Sequence, residues 1–225
     1  MFPPCCNPLK RLIIYDLDGT LADTGADIIQ AAGIMLEKMG LPRLSDREIL
    51  NYVGRGVRAL VADCLGADQT ERIEEGMRIY RTTYAEHMLD NTALYPGVPK
   101  VLEHFKERRQ MVLTNKPNPY SAEILKGLGV ADYFYRIVAG AEEFPKKPDP
   151  AGLKAVMVGE GAGPAETLYI GDSPVDVETA RGAGLTDVIV VDHGYGVAAD
   201  FESWPPDHFV PSWGDLLALV RRQGW

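Results

Sequence analysis

The chain has 225 residues, of which 46% are hydrophobic, and its formal net charge is −9. A chain of this length can bury a sizeable core, and even a second, smaller module, without disulfide support. The acidic balance argues against a surface for nucleic acid or anionic membranes, so an anionic substrate would need a local positive site.

The cysteines and the apolar stretches exclude further classes. Only three cysteines occur, Cys5, Cys6 and Cys64, too few for a disulfide framework or a four-cysteine zinc site. No stretch approaches the roughly 20 apolar residues of a membrane span, and none resembles a signal segment. We therefore expect a cytoplasmic monomer or homodimer with no membrane or nucleic-acid partner. Residues 1–9, rich in proline, are expected to form a flexible tail.

The first predicted element is a buried strand over Leu12 to Tyr15, followed by DLDGT at residues 16–20. Side chains at i and i+2 of an extended chain share a face, so Asp16 and Asp18 can enter one small volume. Gly19 lets the chain turn sharply. Two carboxylates this close repel each other, which indicates a divalent metal, a shared proton or both. A solvated aspartate-rich turn is the plainer alternative.

Helical periodicity dominates the next seventy or so residues. The predicted helices begin near Asp27, Ser45, Val57 and Thr70, and Ser45 with Glu48 forms a capping box. No strand-like alternation is visible in this stretch. The pattern predicts a helical cap over residues 22–95, inserted into an α/β catalytic core of residues 10–21 and 96–225.

Strand-like and helical segments alternate in the rest of the chain. Strands are predicted at 110–114, 136–139, 167–171 and 187–191, and helices near 101–105, 121–128, 151–158, 175–183 and 212–222. This succession implies βαβ units, a parallel sheet and right-handed crossovers. The predicted fold class is therefore α/β, a doubly wound parallel, Rossmann-like sheet with an inserted α-helical cap domain.

Polar residues follow three of the predicted strands, at the sheet edge where such folds bind ligands. These sets are Asp16 and Asp18, then Thr114 and Asn115, then Asp172 and Ser173. Lys147 lies in the sequence KKPDP, whose prolines restrict the backbone around it. Each residue also has a plain structural explanation on its own: a strand-end hydroxyl for Thr114, a helix N-cap for Asp172 and a surface charge for Lys147.

The sequences DLDGT, LTN, KPDP and IGDSPVD follow one another along the chain. In this order and spacing they resemble the four motifs of the haloacid dehalogenase superfamily of phosphohydrolases. The resemblance covers nearly the whole chain after the tail, including the position of the helical insertion. TLADTGADI after the first motif, YVGRGV in the insertion and LTNKP at the second motif look most like phosphoglycolate phosphatases and their close relatives.

The resemblance implies a phosphomonoester hydrolase that forms an aspartyl phosphate. Asp16 would be the nucleophile, and Asp18 the general acid and then the base that activates water. Thr114 would bind a phosphate oxygen, and Lys147 would neutralise charge on the phosphoryl group. The cofactor implied is Mg²⁺, bound by Asp16, the backbone carbonyl of Asp18 and Asp172.

Further residues are expected to support this site. Gly19, Thr114 and Asn115 are expected to bind the substrate. Ser173 and Asp176 are expected to lie behind the metal ligands and to orient Lys147 or a metal-bound water; helix capping and a favourable helix dipole are the alternatives. Arg55, between two glycines of the predicted cap, is expected to bind a substrate carboxylate, with an exposed loop arginine as the alternative.

The aspartate at position 18 also limits the class of reaction that the resemblance implies. The dehalogenase branch lacks this second acid, because cleavage of a carbon–halogen bond releases no alkoxide, so its presence here implies a phosphate ester. The partner implied is a small phosphorylated metabolite, best matched by 2-phosphoglycolate. A sugar-phosphate mutase of the same fold, a pyrophosphatase or nucleotidase, and a catalytically silent binding module stay open as alternatives.

Overall fold

The computed structural model describes residues 8–140, 142–196 and 201–225. Most of the tail predicted at residues 1–9, including Cys5 and Cys6, lies outside these ranges. The strands of the described residues are β1 (Leu12–Tyr15), β2 (Ala22–Asp23), β3 (Ala93–Leu94), β4 (Arg109–Thr114), β5 (Arg136–Ala139), β6 (Thr167–Gly171), β7 (Val188–Val191) and β8 (His208–Val210).

The α-helices of the same residues lie close to their predicted positions. They are α1 (Gly25–Lys38), α2 (Asp46–Asn51), α3 (Val57–Leu65), α4 (Ile73–His87), α5 (Val98–His104), α6 (Tyr120–Gly127), α7 (Ala151–Gly159), α8 (Pro174–Gly182) and α9 (Trp213–Gln223). Within the described ranges, none of these helices combines the length and apolarity needed to cross a membrane.

The main sheet is parallel throughout, with the strand order β5-β4-β1-β6-β7-β8. Successive residues of β1 point to opposite faces: Ile13 and Tyr15 enter one hydrophobic cluster, and Leu12 and Ile14 enter the other. All four are fully buried, because helices cover both faces of a doubly wound sheet. The predicted α/β fold class is confirmed.

The helices α1 to α4 form one packed unit between β2 and β3. Helix α1 packs against α2, α3 and α4, and the predicted Ser45–Glu48 capping box is present. Residues 22–95 also contain two short strands that the helical pattern did not predict: β2 and β3 pair antiparallel where the chain enters and leaves the helical unit. Strands of two residues are too short to show alternation, and β8 was missed for a similar reason.

A buried carboxylate fastens the start of α1 to the chain that leaves α4. Asp27 is fully buried and accepts hydrogen bonds from the backbone and side chains of Asn91 and Thr92, at distances between 2.7 and 3.1 Å. These donors lie more than sixty residues away in the sequence. The carboxylate therefore holds the entry and the exit of the helical unit together.

We expect Asp27→Asn to lower the free energy of unfolding by about 3 kcal/mol, because the amide nitrogen would face a donor and a charge-assisted acceptor would be lost. Urea unfolding monitored by circular dichroism measures this change. The control is Asp68→Asn, which alters an exposed aspartate and should change the stability by less than about 0.5 kcal/mol. Equal unfolding midpoints for the two variants would contradict the role of Asp27.

Candidate active site

The ends of β1 and β6 bring three aspartates into one buried cluster. The Asp16 amide donates to the carbonyl of Ile170 in the neighbouring strand, at 3.0 Å. Carboxylate oxygens of Asp16, Asp172 and Asp176 lie within 4.8 Å of one another, and all three residues are buried. The parallel pairing of β1 with β6 thus joins side chains that are some 150 residues apart in the sequence.

Gly19 and two donors fix the Asp172 carboxylate in this cluster. Gly19 has φ +80°, and a Cβ there would lie 2.4 Å from Asp172 Oδ2, so only glycine fits this turn. Thr20 Oγ1 donates to Asp172 Oδ1 at 2.8 Å, and the Tyr195 amide donates to Oδ2 at 2.8 Å. The predicted turn at Gly19 is therefore also a close approach to a carboxylate.

Lys147 lies between two carboxylates of the cluster. Its Nζ is 2.9 Å from Asp16 Oδ1 and donates to Asp176 Oδ1 at 2.6 Å. Asp176 Oδ1 also accepts from Tyr169, at 3.1 Å, and Oδ2 accepts from the amide and hydroxyl of Ser173. Both explanations given for Asp176 thus hold in its contacts: one oxygen binds Lys147, and the other binds Ser173, the N-cap residue before α8.

The Asp16 carboxylate has spare hydrogen-bonding capacity. Asp16 Oδ1 lies 2.9 Å from Lys147 Nζ in an ion pair, and no other donor of the described residues reaches this oxygen. Burial raises the pKa of Asp16 to about 6, against the opposing charge of Lys147. A buried carboxylate oxygen whose one neighbour is a lysine keeps a lone pair with which to bind a cation or to attack an electrophile.

The charges of the cluster are poorly balanced without a cation. Burial, together with the neighbouring Asp176 and Asp16, raises the pKa of Asp172 well above its usual value. Burial acts to lower the pKa of Lys147, but the same two neighbours outweigh it and raise that pKa. Three carboxylates near one ammonium therefore suit a hard divalent cation such as Mg²⁺. Both oxygens of Asp176 accept two or more hydrogen bonds, whereas each oxygen of Asp172 accepts one, so Asp16 and Asp172 are better able to bind the ion.

Asp18 faces the other side of the site, where it binds a lysine that was not predicted. Asp18 Oδ1 accepts from Thr24 Oγ1 at 2.6 Å and from Lys116 Nζ at 2.8 Å. Lys116 is 8% exposed, and its Nζ lies 4.6 Å from the centre of the Tyr84 ring. The signal for Lys116 was its place two residues after Thr114, at the end of β4.

The two polar residues that end β4 differ in what they contact. Thr114 Oγ1 accepts only the Lys116 amide, at 3.2 Å, among the described residues, and lines a cavity beside Asp16. Asn115 donates to the carbonyls of Gly54 and Lys147 and accepts the Lys147 amide. Asn115 therefore ties the loop after α2 to the backbone of Lys147, and substrate binding by its side chain stays a prediction.

Two openings reach Asp16 and Asp18. One is a cavity of about 50 Å³ lined by tyrosines and Lys116, and the other is a wider groove of about 440 Å³. Arg55 lines the groove together with Arg47, and its guanidinium pairs with Asp63. The structure thus brings together the predicted residues Asp16, Asp18, Gly19, Thr114, Asn115, Lys147, Asp172, Ser173 and Asp176, with Arg55 at the rim.

Similarity to known proteins agrees with this geometry. The family described as haloacid dehalogenase-like hydrolase matches residues 13–191. A phosphoglycolate phosphatase of Nitrosococcus oceani is 32% identical over 219 residues, which cover 94% of this chain and 97% of the relative. A phosphoglycolate phosphatase of Pseudomonas putida is 34% identical over 98% of this chain and 81% of its own length.

Solved structures show the same architecture. A crystal structure of a predicted phosphoglycolate phosphatase from Haemophilus somnus superposes with a TM-score of 0.87 at 26% identity, and the match covers 94% of this chain and 98% of that one. A haloacid dehalogenase-like family hydrolase from Streptococcus pneumoniae superposes with a TM-score of 0.84 at 25% identity, over 94% and 98% of the two chains.

Proposed function

Because this chain belongs to the haloacid dehalogenase-like hydrolases and is a phosphatase of that family, we propose that it is a Mg²⁺-dependent phosphomonoesterase acting through an aspartyl phosphate. The proposed substrate is 2-phosphoglycolate, because relatives of this chain are named phosphoglycolate phosphatase. The observation that carries the mechanism is the buried Asp16 Oδ1, which lies 2.9 Å from Lys147 Nζ and has no other donor among the described residues.

The first step transfers the phosphoryl group to the protein. The Asp16 carboxylate attacks phosphorus, the bond from phosphorus to the ester oxygen breaks, and protonated Asp18 gives its proton to the departing alkoxide. Lys147 balances the negative charge of the phosphoryl group and of Asp16. The Thr114 hydroxyl donates a hydrogen bond to a phosphate oxygen. Asp176 keeps Lys147 in place through the 2.6 Å hydrogen bond.

The second step returns the protein to its starting state. The Asp18 carboxylate takes a proton from water, the resulting hydroxide attacks phosphorus, and the bond between phosphorus and Asp16 breaks to release phosphate. Asp18 thus ends protonated and ready for the next ester. Phosphoryl transfer depends mainly on position and charge balance, which this set of residues supplies.

The residues proposed to hold Mg²⁺ are Asp16, Asp172 and the backbone carbonyl of Asp18. The fit rests on the Asp16 oxygen, which has no donor besides Lys147 among the described residues, and on the three buried carboxylates clustered there. When bound, the ion neutralises charge on the phosphoryl oxygens and favours the ionised forms of its carboxylate ligands. We further propose that residues 22–95 act as a cap over this site and that residues 10–21 and 96–225 form the core.

A substrate panel tests the proposal. Phosphate release from 2-phosphoglycolate, a hexose phosphate, a nucleoside monophosphate and pyrophosphate is measured with Mg²⁺ and after its removal by EDTA. We expect the highest kcat/KM for 2-phosphoglycolate and no turnover without the metal. Isomerised hexose phosphate without phosphate release would indicate a mutase, a preference for pyrophosphate or the nucleotide would indicate the hydrolase alternatives, and complete inactivity would favour a silent module.

Arg55 is proposed to attract the substrate carboxylate at the rim of the groove. Its side chain is 57% exposed, so its charge is screened by solvent and its contribution should be modest. We expect Arg55→Ala to reduce kcat/KM for 2-phosphoglycolate about three- to tenfold, mainly through KM, with a smaller effect at high salt. The control is Arg58→Ala, whose arginine pairs with Glu74 and does not line the groove. Unchanged kinetics would remove Arg55 from substrate recognition.

A further inference from the structure

The cavity that contains Lys116, hereafter the tyrosine chamber, closes between the helical unit and the end of β4. Tyr80 and Tyr84 come from α4, Tyr120 comes from the first turn of α6, and Leu60 comes from α3. The Tyr80 and Tyr84 rings stack at 5.6 Å, and Tyr84 meets Tyr120 edge-on at 5.5 Å. Asp16, Asp18 and Thr114 also line the chamber, so it opens directly on the reacting groups.

The size of the tyrosine chamber limits what can occupy it. Its volume is about 50 Å³, whereas a single water needs roughly 10 to 15 Å³ by the same kind of measure. The chamber therefore has room for a few water-sized groups, as in a two- or three-carbon leaving group. A nucleoside or a hexose would not fit in it.

Lys116 places an ammonium in this small chamber, beside the carboxylates of Asp16 and Asp18. Among the described residues that line it, Lys116 is the only one with a cationic side chain. An ammonium has three N–H donors, and Asp18 Oδ1 takes one of them. The Tyr84 ring lies under the ammonium, 4.6 Å from Nζ, and so holds the cation in place without using its donors.

Tyr84 contributes its ring to the tyrosine chamber. Its side chain is almost completely buried, and its hydroxyl oxygen, which has no hydrogen-bond partner among the described residues, is out of reach of a water-sized guest. Lys116 is therefore the charged donor that a guest lying against Asp18 would meet.

We propose that the tyrosine chamber is the subsite for the leaving group, and that Lys116 determines specificity by pairing with a carboxylate two atoms beyond the ester oxygen. This inference rests on the proposed function, because the group that protonates the ester oxygen is Asp18. Lys116 lies 2.8 Å from Asp18 Oδ1, so a charge close to the ester oxygen is within its reach. The substrate class is then the phosphate esters of small hydroxy acids.

Two substrates of nearly equal size test the pairing. 2-Phosphoglycolate carries the carboxylate, and 2-hydroxyethyl phosphate has a neutral alcohol at the same place. For each protein, the ratio of the two kcat/KM values is measured. We expect Lys116→Met to lower this ratio about 10- to 100-fold, because a charge-assisted hydrogen bond is lost for only one of the substrates.

Lys126→Met completes the design. Lys126→Met removes an exposed charge on α6 and should leave the ratio unchanged. Melting curves establish that each variant is folded.

The outcomes separate this inference from the proposed function. An equal loss for both substrates in Lys116→Met, with an unchanged ratio, would mean that Lys116 only positions Asp18, and the inference would be wrong. A wild type that prefers 2-hydroxyethyl phosphate would overturn the substrate class and leave the phosphatase intact. A wild type that releases phosphate from no ester would overturn both the inference and the proposed function.

Discussion

Replacement of Asp16 by asparagine is expected to lower kcat for 2-phosphoglycolate by at least about 10³-fold, since an amide cannot accept the phosphoryl group. No other described carboxylate occupies an equivalent position: Asp176 is engaged with Lys147, Tyr169 and Ser173, and Asp172 is held by Thr20 and the Tyr195 amide. Steady-state phosphate release with saturating Mg²⁺ measures the change.

The stability of the Asp16→Asn variant provides its control. Burial raises the pKa of Asp16 from 3.8 to about 6, so between these pH values the folded protein binds a proton that the unfolded chain has lost. The metal-free wild type should therefore gain stability from this group as the pH falls from about 6 to 4. The variant should lack this gain and should be no less stable at pH 8. An active variant would contradict the role of Asp16 as nucleophile, and a variant clearly less stable than the wild type at pH 8 would contradict the cost of burying its charge.

Replacement of Lys147 by methionine is the second change with a large expected effect. The ammonium lies 2.9 Å from Asp16 Oδ1 and 2.6 Å from Asp176 Oδ1, and its side chain is 3% exposed. Its loss leaves two buried carboxylates without their cation, which should lower the free energy of unfolding by about 3 kcal/mol. It also removes charge balance in the transition state, and kcat should fall about 10²- to 10³-fold.

The neighbouring lysine makes the Lys147 experiment specific. Lys146 is half-buried and has no ion pair among the described residues, so Lys146→Met should keep kcat within about threefold of wild type and lose less than about 1 kcal/mol. Urea unfolding and phosphate release are measured on both variants. Equal losses in both would show that the general charge of this loop matters, and not the contact of Lys147 with Asp16.

The fold and the centre of the site could be predicted because they depend on local patterns and sheet geometry. The buried run of β1 and the polar residues after β1, β4 and β6 are visible in the sequence, and parallel pairing brings strand ends together. These local patterns could not place Lys147, because it lies in a loop without helical or strand periodicity. Its position followed from the resemblance of KPDP to a family motif.

The features that were missed depend on contacts between distant parts of the chain. In the sequence, Asp27 is an ordinary acidic residue in the first turn of a helix. Its role is visible only in the structure, where Asn91 and Thr92 donate hydrogen bonds to it. Lys116 looks like a surface charge until α4 places Tyr84 beneath its ammonium. Tyr195 has no motif around it in the sequence, yet its amide donates to Asp172 and its hydroxyl accepts the Thr24 amide. Such partners are set by packing, which a single sequence does not reveal.

The proposed mechanism places the phosphoryl group on the Asp16 carboxylate during turnover. A rapid acid quench of the enzyme turning over 2-phosphoglycolate with Mg²⁺ traps this group, and borohydride reduction, which cleaves acyl phosphates, marks its position for peptide mass spectrometry. We predict reductive modification at residue 16, dependent on substrate and absent from Asp16→Asn. Rapid phosphate release with no modification at residue 16, or with the modification on another carboxylate, would contradict it.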